Sequence, residues 1–126
     1  MKLYSTDKTK FVEIILDNFG GVPFIEAVVD FGIFQGGNSS IHLENPNQFI
    51  RDFDSYITDR SINPVLKGTY DFQLSFYAKS LKTFLKVNIG DINSSPSGTE
   101  WFGVYGEFAI DDEYLIQYLE HFKGLN

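Results

Sequence analysis

From Tyr70 to Phe76, large apolar residues take every second position: Tyr70, Phe72, Leu74 and Phe76 alternate with Thr69, Asp71, Gln73 and Ser75. A period of two is what a strand with one buried and one wet face produces. The pattern recurs from Leu81 to Ile89, where Leu81, Thr83, Leu85, Val87 and Ile89 interleave with Lys82, Phe84, Lys86 and Asn88. The short link Ala78-Lys79-Ser80 predicts that these two strands pair as an antiparallel hairpin. Before them, Phe11 to Leu16 predicts a first strand, broken at Asn18-Phe19-Gly20-Gly21, with Pro23 delaying the next. Phe24 to Phe34 is long enough for a curved strand. Gln35-Gly36-Gly37-Asn38 predicts a hairpin turn, and Ser39 to Leu43 the returning strand. Near the end, Asn93 to Gly98 reads as a turn. Trp101 to Ile110 then reads as a strand that Gly103 and Gly106 can bend.

Two segments change period. Phe49, Ile50, Phe53, Tyr56 and Ile57 recur at helical spacing, and Arg51, Asp52, Asp54 and Asp59 fall on the opposite face. Asn45 stands where a helix cap belongs, Pro46 at the first helical position and Gln48 three residues after the cap; Ser61 to Pro64 ends the helix. The second helix opens at Asp111-Asp112-Glu113, where the helix dipole favours anions. It buries Tyr114, Leu115, Tyr118, Leu119 and Phe122, and closes at Lys123-Gly124. The order βββ-α-βββ-α with short turns predicts an α+β fold: one twisted antiparallel sheet of about six strands, with both helices packed on one face. At 126 residues the chain is expected to form a single domain over 1–126.

Composition adds exclusions. Aromatics make up 17% of the chain, with 13 Phe and 7 Tyr, too apolar for a disordered segment. Cysteine is absent, which excludes thiol nucleophiles, zinc–thiolate and iron–sulfur sites, and disulfide frameworks. The residues Met1 to Asp7 lack the apolar core of a signal peptide, and the apolar runs are too short for a membrane span. The expected compartment is the cytoplasm. The net charge is −7. Residues 11–59 hold eight acids against Arg51 alone, and residues 100–120 hold six acids and no Lys or Arg. Between them Arg60, Lys67, Lys79, Lys82 and Lys86 make the chain locally basic. An acidic surface disfavours nucleic acid and accelerates encounter with a basic protein.

No catalytic set emerges. His42 and His121 are far apart and neither has zinc-ligand spacing. His42 shares a strand face with Glu44, which reads as a surface pair, and His121 falls in a last helical turn where a cation suits the dipole. Asp52 and Asp54, two apart on a helix, point to different sides and cannot form a carboxylate pair. Asp111-Asp112-Glu113 is explained by capping, Asp91-Ile92-Asn93 is too short for a calcium loop, and the Gly-Gly pairs lack a phosphate-binding signature. Lys82 and Lys86 flank Phe84 on one strand face, a basic aromatic stripe that reads first as a solvated sheet face. The expectation is a binding protein without enzymatic activity, cofactor or metal.

Several features together resemble the WapI-type immunity proteins of bacterial polymorphic and contact-dependent toxin systems. They are the mid-chain helix Asn47-Gln48-Phe49-Ile50-Arg51-Asp52-Phe53, the alternating strand Tyr70 to Phe76, and Phe84-Leu85-Lys86-Val87. The Gly-Val-Tyr-Gly strand at 103–106 follows, leading into Asp111-Asp112-Glu113-Tyr114-Leu115. The resemblance covers about residues 24 to 122, and the chain departs from it in lacking a Trp-rich segment before the first helix. It implies a cytoplasmic protein that binds and blocks a cognate toxin domain, often a nuclease, without a catalytic set of its own. The partner would be a basic C-terminal toxin domain, met through the acidic helix faces: Glu44, Asp52, Asp54, Asp59, Glu107, Asp112, Glu113 and Glu120. The competing expectation is a small-molecule site on a concave aromatic sheet face.

Overall fold

The computed structural model describes residues 1–19 and 21–125. Gly20, at the expected break after the first long strand, lies outside the described residues. Eight strands form two four-stranded antiparallel sheets, each a simple meander. The first contains β1 (Lys2–Tyr4), β2 (Phe11–Phe19), β3 (Val22–Asp30) and β4 (Gln35–His42); the second contains β5 (Val65–Lys67), β6 (Gln73–Lys79), β7 (Lys82–Ser95) and β8 (Gly98–Ile110). Helix α1 (Pro46–Thr58) joins the sheets, and α2 (Leu115–Phe122) follows the last strand after a 3₁₀ turn at Asp112–Tyr114.

The α+β class therefore holds, but the single six-stranded sheet does not. Two strands are only three residues long, too short for alternation to register. The helix in mid-chain also interrupts the sheet. Between β4 and β5 a single bridge remains, Leu43 to Gly68, with the amide of Glu44 donating to the carbonyl of Lys67 at 2.9 Å. At the other end the amide of Thr6, just past β1, donates to the carbonyl of Ala109 on β8 at 2.9 Å. The two sheets thus touch edge to edge at both ends while remaining separate ladders.

Each sheet has one apolar face, and these faces are covered by each other and by the helices. Val12, Ile14, Ile25, Ala27, Val29 and Ile41 from the first sheet join Leu74, Phe76, Leu85, Val87 and Phe108 from the second in one buried cluster. Of the stripe expected on the first helix, Phe49, Ile50, Phe53 and Tyr56 are buried and Ile57 is half-buried against the core. Phe53 meets Phe76 of β6 at 4.7 Å between ring centroids, and Phe49 meets Phe122 of α2 at 5.1 Å, both edge to face. At the centre of this side the Tyr56 hydroxyl shares a 2.7 Å hydrogen bond with Thr83, which also accepts from Arg60 at 3.0 Å. That satisfies polar groups that burial would otherwise penalise.

Several local readings move. The hairpin between β3 and β4 turns at residues 31–34, and Gln35 to Asn38 belong to β4. A hydrogen bond from the amide of Phe31 to the carbonyl of Phe34 closes the turn at 2.9 Å, and the Asp30 carboxylate accepts from the Gly32 amide at 3.0 Å. A turn at Tyr70-Asp71, with φ of +59° and +58°, delays β6 to Gln73. The β6–β7 hairpin turns tightly at Ser80-Leu81, also with positive φ at both residues, as a two-residue turn of primed type requires. Asn45 occupies the cap position of α1 without a capping side-chain bond. Its amide instead donates to the Val65 carbonyl at 2.7 Å and accepts from the Lys67 amide at 2.8 Å, tying the helix start to β5. Gly103 and Gly106 cause no bulge, since β7 and β8 stay in one register from Thr83–Ile110 to Ser95–Gly98.

Gly106 has a different role. A Cβ there would overlap the Phe31 ring, which packs edge to face on Phe108 at 5.9 Å. Gly106→Ala is therefore expected to cost about 1–3 kcal/mol through overpacking. Phe53→Ala should cost about 3–5 kcal/mol by leaving a cavity beneath both helices. Denaturant unfolding of the two variants against the parent checks both values.

Candidate functional site

The eight acids singled out from the sequence do not form one cluster. Asp52 and Asp54 lie on α1 and Glu120 on α2. The two helices run antiparallel: Asp112, before α2, lies 3.6 Å from Arg60 beyond the end of α1, while Lys123 beyond α2 lies near Asp54 in mid-α1. Lys123 bonds Glu120 at 2.9 Å, and that contact, with a smaller push from Asp54, raises its pKa above the ordinary lysine value. Asp52 accepts from Gln48 at 2.8 Å, which in turn accepts from Arg51 at 2.9 Å. Asp59 is folded onto its own turn, accepting from the Ser61 hydroxyl at 2.6 Å and amide at 3.1 Å, which lowers its pKa. Glu44 is exposed beside the β4–β5 bridge and Glu113 is exposed in the 3₁₀ turn.

Glu107 belongs elsewhere. It lies on β8 directly opposite Lys86 of β7, and accepts a hydrogen bond from the Tyr77 hydroxyl. Here the basic stripe of the sequence reappears, largely engaged with its neighbours. Lys86 sits 5.3 Å over the Tyr77 ring and Lys79 5.9 Å over Phe84, and the rings of Tyr77 and Phe84 stack at 5.5 Å. Cations held over aromatic faces stabilise the wet side of the second sheet.

Of the acid triplet after β8, Asp111 takes Lys8 at 3.3 Å and Asp112 takes Arg60, so each has a cation partner. Asp111 makes no capping side-chain bond, and α2 proper begins only at Leu115. Among the described residues no group of three or more His, Cys, Asp and Glu side chains is placed to hold a metal ion. His42 ends β4 and stacks on Phe24 at 5.8 Å. The expected cationic role of His121 is overturned by packing. Its Nε2 is buried without a hydrogen-bond partner, and burial, followed by the nearby Met1 amino group, lowers its pKa against the opposing pull of the Ile14 carbonyl. Desolvation of a charged imidazole outweighs what a helix C-terminus offers it.

A cleft of about 400 Å³ is lined by Lys2, Tyr4, Lys8, Tyr114, Gln117 and Tyr118. Its walls offer two ammonium groups and three phenols, with no imidazole or carboxylate among them. The concave aromatic sheet face expected for a ligand is occupied by core: Phe49, Phe53, Phe72, Phe76, Phe108 and Phe122 are buried.

The surface that sequence reasoning passed over is the projecting end of the β7–β8 hairpin. Trp101, Phe102 and Tyr105 are 55%, 60% and 63% exposed, and Ile92 stands opposite Trp101 in the register. The signal was present in the alternation: Trp101 and Tyr105 share the face of Glu107, which ought to be wet.

No family model, curated protein or solved structure matches the chain. None of the described helices is long and apolar enough to cross a membrane.

With its folded pKa lowered, His121 binds a proton more readily in the unfolded chain. Stability is therefore expected to fall as pH drops through the ordinary histidine value of 6.5 towards the depressed one. His121→Leu should flatten that part of the profile, read as Tm between pH 7.5 and 5.5, about one unit either side of the unperturbed value.

Proposed function

We propose that this chain is a non-catalytic binding protein that neutralises a cognate toxin domain of a bacterial polymorphic or contact-dependent inhibition system, acting in the cytoplasm. The observation that carries the reading is the acidic outer face of the antiparallel helix pair. Asp54 and Glu120 are exposed there and Asp52 is half-buried on the other flank of α1, with Arg51 and Lys123 as the nearby cations, in a chain of net charge −7. Glu113, exposed ahead of α2, adds to the same sign. Toxin domains that act on nucleic acid need basic clefts for phosphates, and an acidic surface is steered to such a cleft and occludes it. The resemblance in element order between residues 24 and 122 points the same way.

A second reading, binding of an anionic small molecule, draws on the cleft between Lys2, Tyr4, Lys8 and Tyr118. Both readings use the fold as a scaffold for recognition.

The test is co-expression with the C-terminal domain of a large toxin whose gene lies immediately upstream, the arrangement this reading expects. The parent chain should copurify with that domain and restore growth. Asp52→Lys with Asp54→Lys should slow association about tenfold or more at low salt while leaving dissociation nearly unchanged. A toxin domain that neither copurifies nor is neutralised removes the immunity reading, and an unchanged association rate removes the helix face as its contact.

A further inference from the structure

The outer edge of β8 is an open hydrogen-bonding ladder. In an antiparallel strand the N–H and C=O of one residue point to the same side, and the side alternates along the chain. The Ala109 carbonyl faces away from β7, because it accepts from Thr6. The β7–β8 register runs without a shift from Thr83–Ile110 to Ser95–Gly98. Trp101, Gly103, Tyr105 and Glu107 therefore turn their backbone groups outward as well. Beyond Ala109, no backbone bond from another element reaches this edge among the described residues.

Exposed edges are normally protected by lysine, proline, bulges or short length. The β8 edge has none of these over its 13 residues, Gly98–Ile110. It carries three large exposed aromatics instead.

We propose that β8 pairs antiparallel with β8 of a second copy of this chain, about a two-fold axis at Gly103, so that two four-stranded sheets become one of eight. Outward-facing residues must pair with outward-facing residues, which limits the registers to a few. Centring on Gly103 sets Trp101 opposite Tyr105 of the second copy, twice by symmetry. On the other face it sets Phe102 opposite Val104, and Glu107 meets Thr99. Every large exposed aromatic of the arm gains an apolar partner, and no acid lies opposite an acid. That complementarity favours a second copy over a foreign strand. Covering the six rings removes on the order of 600 Å² from water, roughly half of what a stable interface buries, with the backbones and flanking side chains adding to it. The expected dimer is reversible and dissociates in the micromolar range.

The chain has one tryptophan, Trp101, and no cysteine, so both readouts are clean. Sedimentation of the full chain between about 1 and 100 µM should show a monomer–dimer equilibrium, since a micromolar Kd falls inside that range. Trp101 emission should move to the blue across the same concentrations. Gly103→Cys places two thiols across the axis at a Cα separation of about 5.5 Å, inside the window for a disulfide. Its Cβ meets nothing closer than the Ile89 carbonyl at 3.3 Å. This variant should form a covalent dimer on mild oxidation, whereas Thr99→Cys, whose copies lie about 27 Å apart in this register, should not. Tyr105→Lys, with folding confirmed by circular dichroism, should be monomeric throughout. A parent chain that stays monomeric overturns the proposal. So does a dimer that survives Tyr105→Lys, or equal crosslinking of the two cysteine variants. Neutralisation of a partner through the helices is read separately and stands or falls on its own assay.

Discussion

The contact on which the fold depends is between the apolar faces of two sheets that are each too small to be covered by one helix. Phe76 on β6 is touched by both Phe49 and Phe53 of α1, and both of those rings also touch Phe122 of α2. These rings join helix to helix and helix to sheet. At the far side the sheets approach each other directly, through Phe31 against the backbone of Gly106 and through Gly36 against Val104. One side of the space between the sheets is filled by helices and the other by close contact. Burial of that common core, worth about 1.5–3 kcal/mol for each large side chain, is what sets the relative placement of everything else.

This arrangement leaves two surfaces that the core does not consume. The outer faces of α1 and α2 are mostly polar because their inner faces are spoken for, although Ile116 of α2 is also exposed. The β7–β8 arm extends past the core, so Trp101, Phe102 and Tyr105 stay exposed on its two faces. These surfaces serve the two proposals separately, the charged helices the immunity reading and the apolar edge the strand pairing.

Within the chain, polar groups that could have suggested chemistry are used structurally. Thr83 sits at the meeting of Tyr56 and Arg60, Asp7 organises the β1–β2 loop by accepting from Ser5 and Thr9, and Glu107 receives the Tyr77 phenol. The Asp7 carboxyl is held well below the ordinary carboxylate range by the Thr9 and Ser5 hydroxyls, the mark of a loop clasp. The Lys2–Tyr118 cleft offers cations, phenols and the Gln117 amide.

Period and punctuation alone determined the long elements. The helical stripe from Phe49 to Tyr56 and the alternation of Leu74, Phe76, Leu85 and Val87 are local consequences of burying one face, and they are legible because each is repeated over several turns or pleats. The acidic character of the helices was equally legible, since charge needs no partner to be counted. What the sequence could not decide was how the strands divide. β1 and β5 pair over only three residues each, with β2 and β6, too briefly for a period to show, and the chain divides into two sheets where α1 intervenes between β4 and β5, a division that no local pattern displays. His121 and the β8 arm depended on tertiary structure for the same reason. One has its pKa lowered by burial that its helical position did not announce, and the other is exposed because the sheet beneath it ends before the strand does.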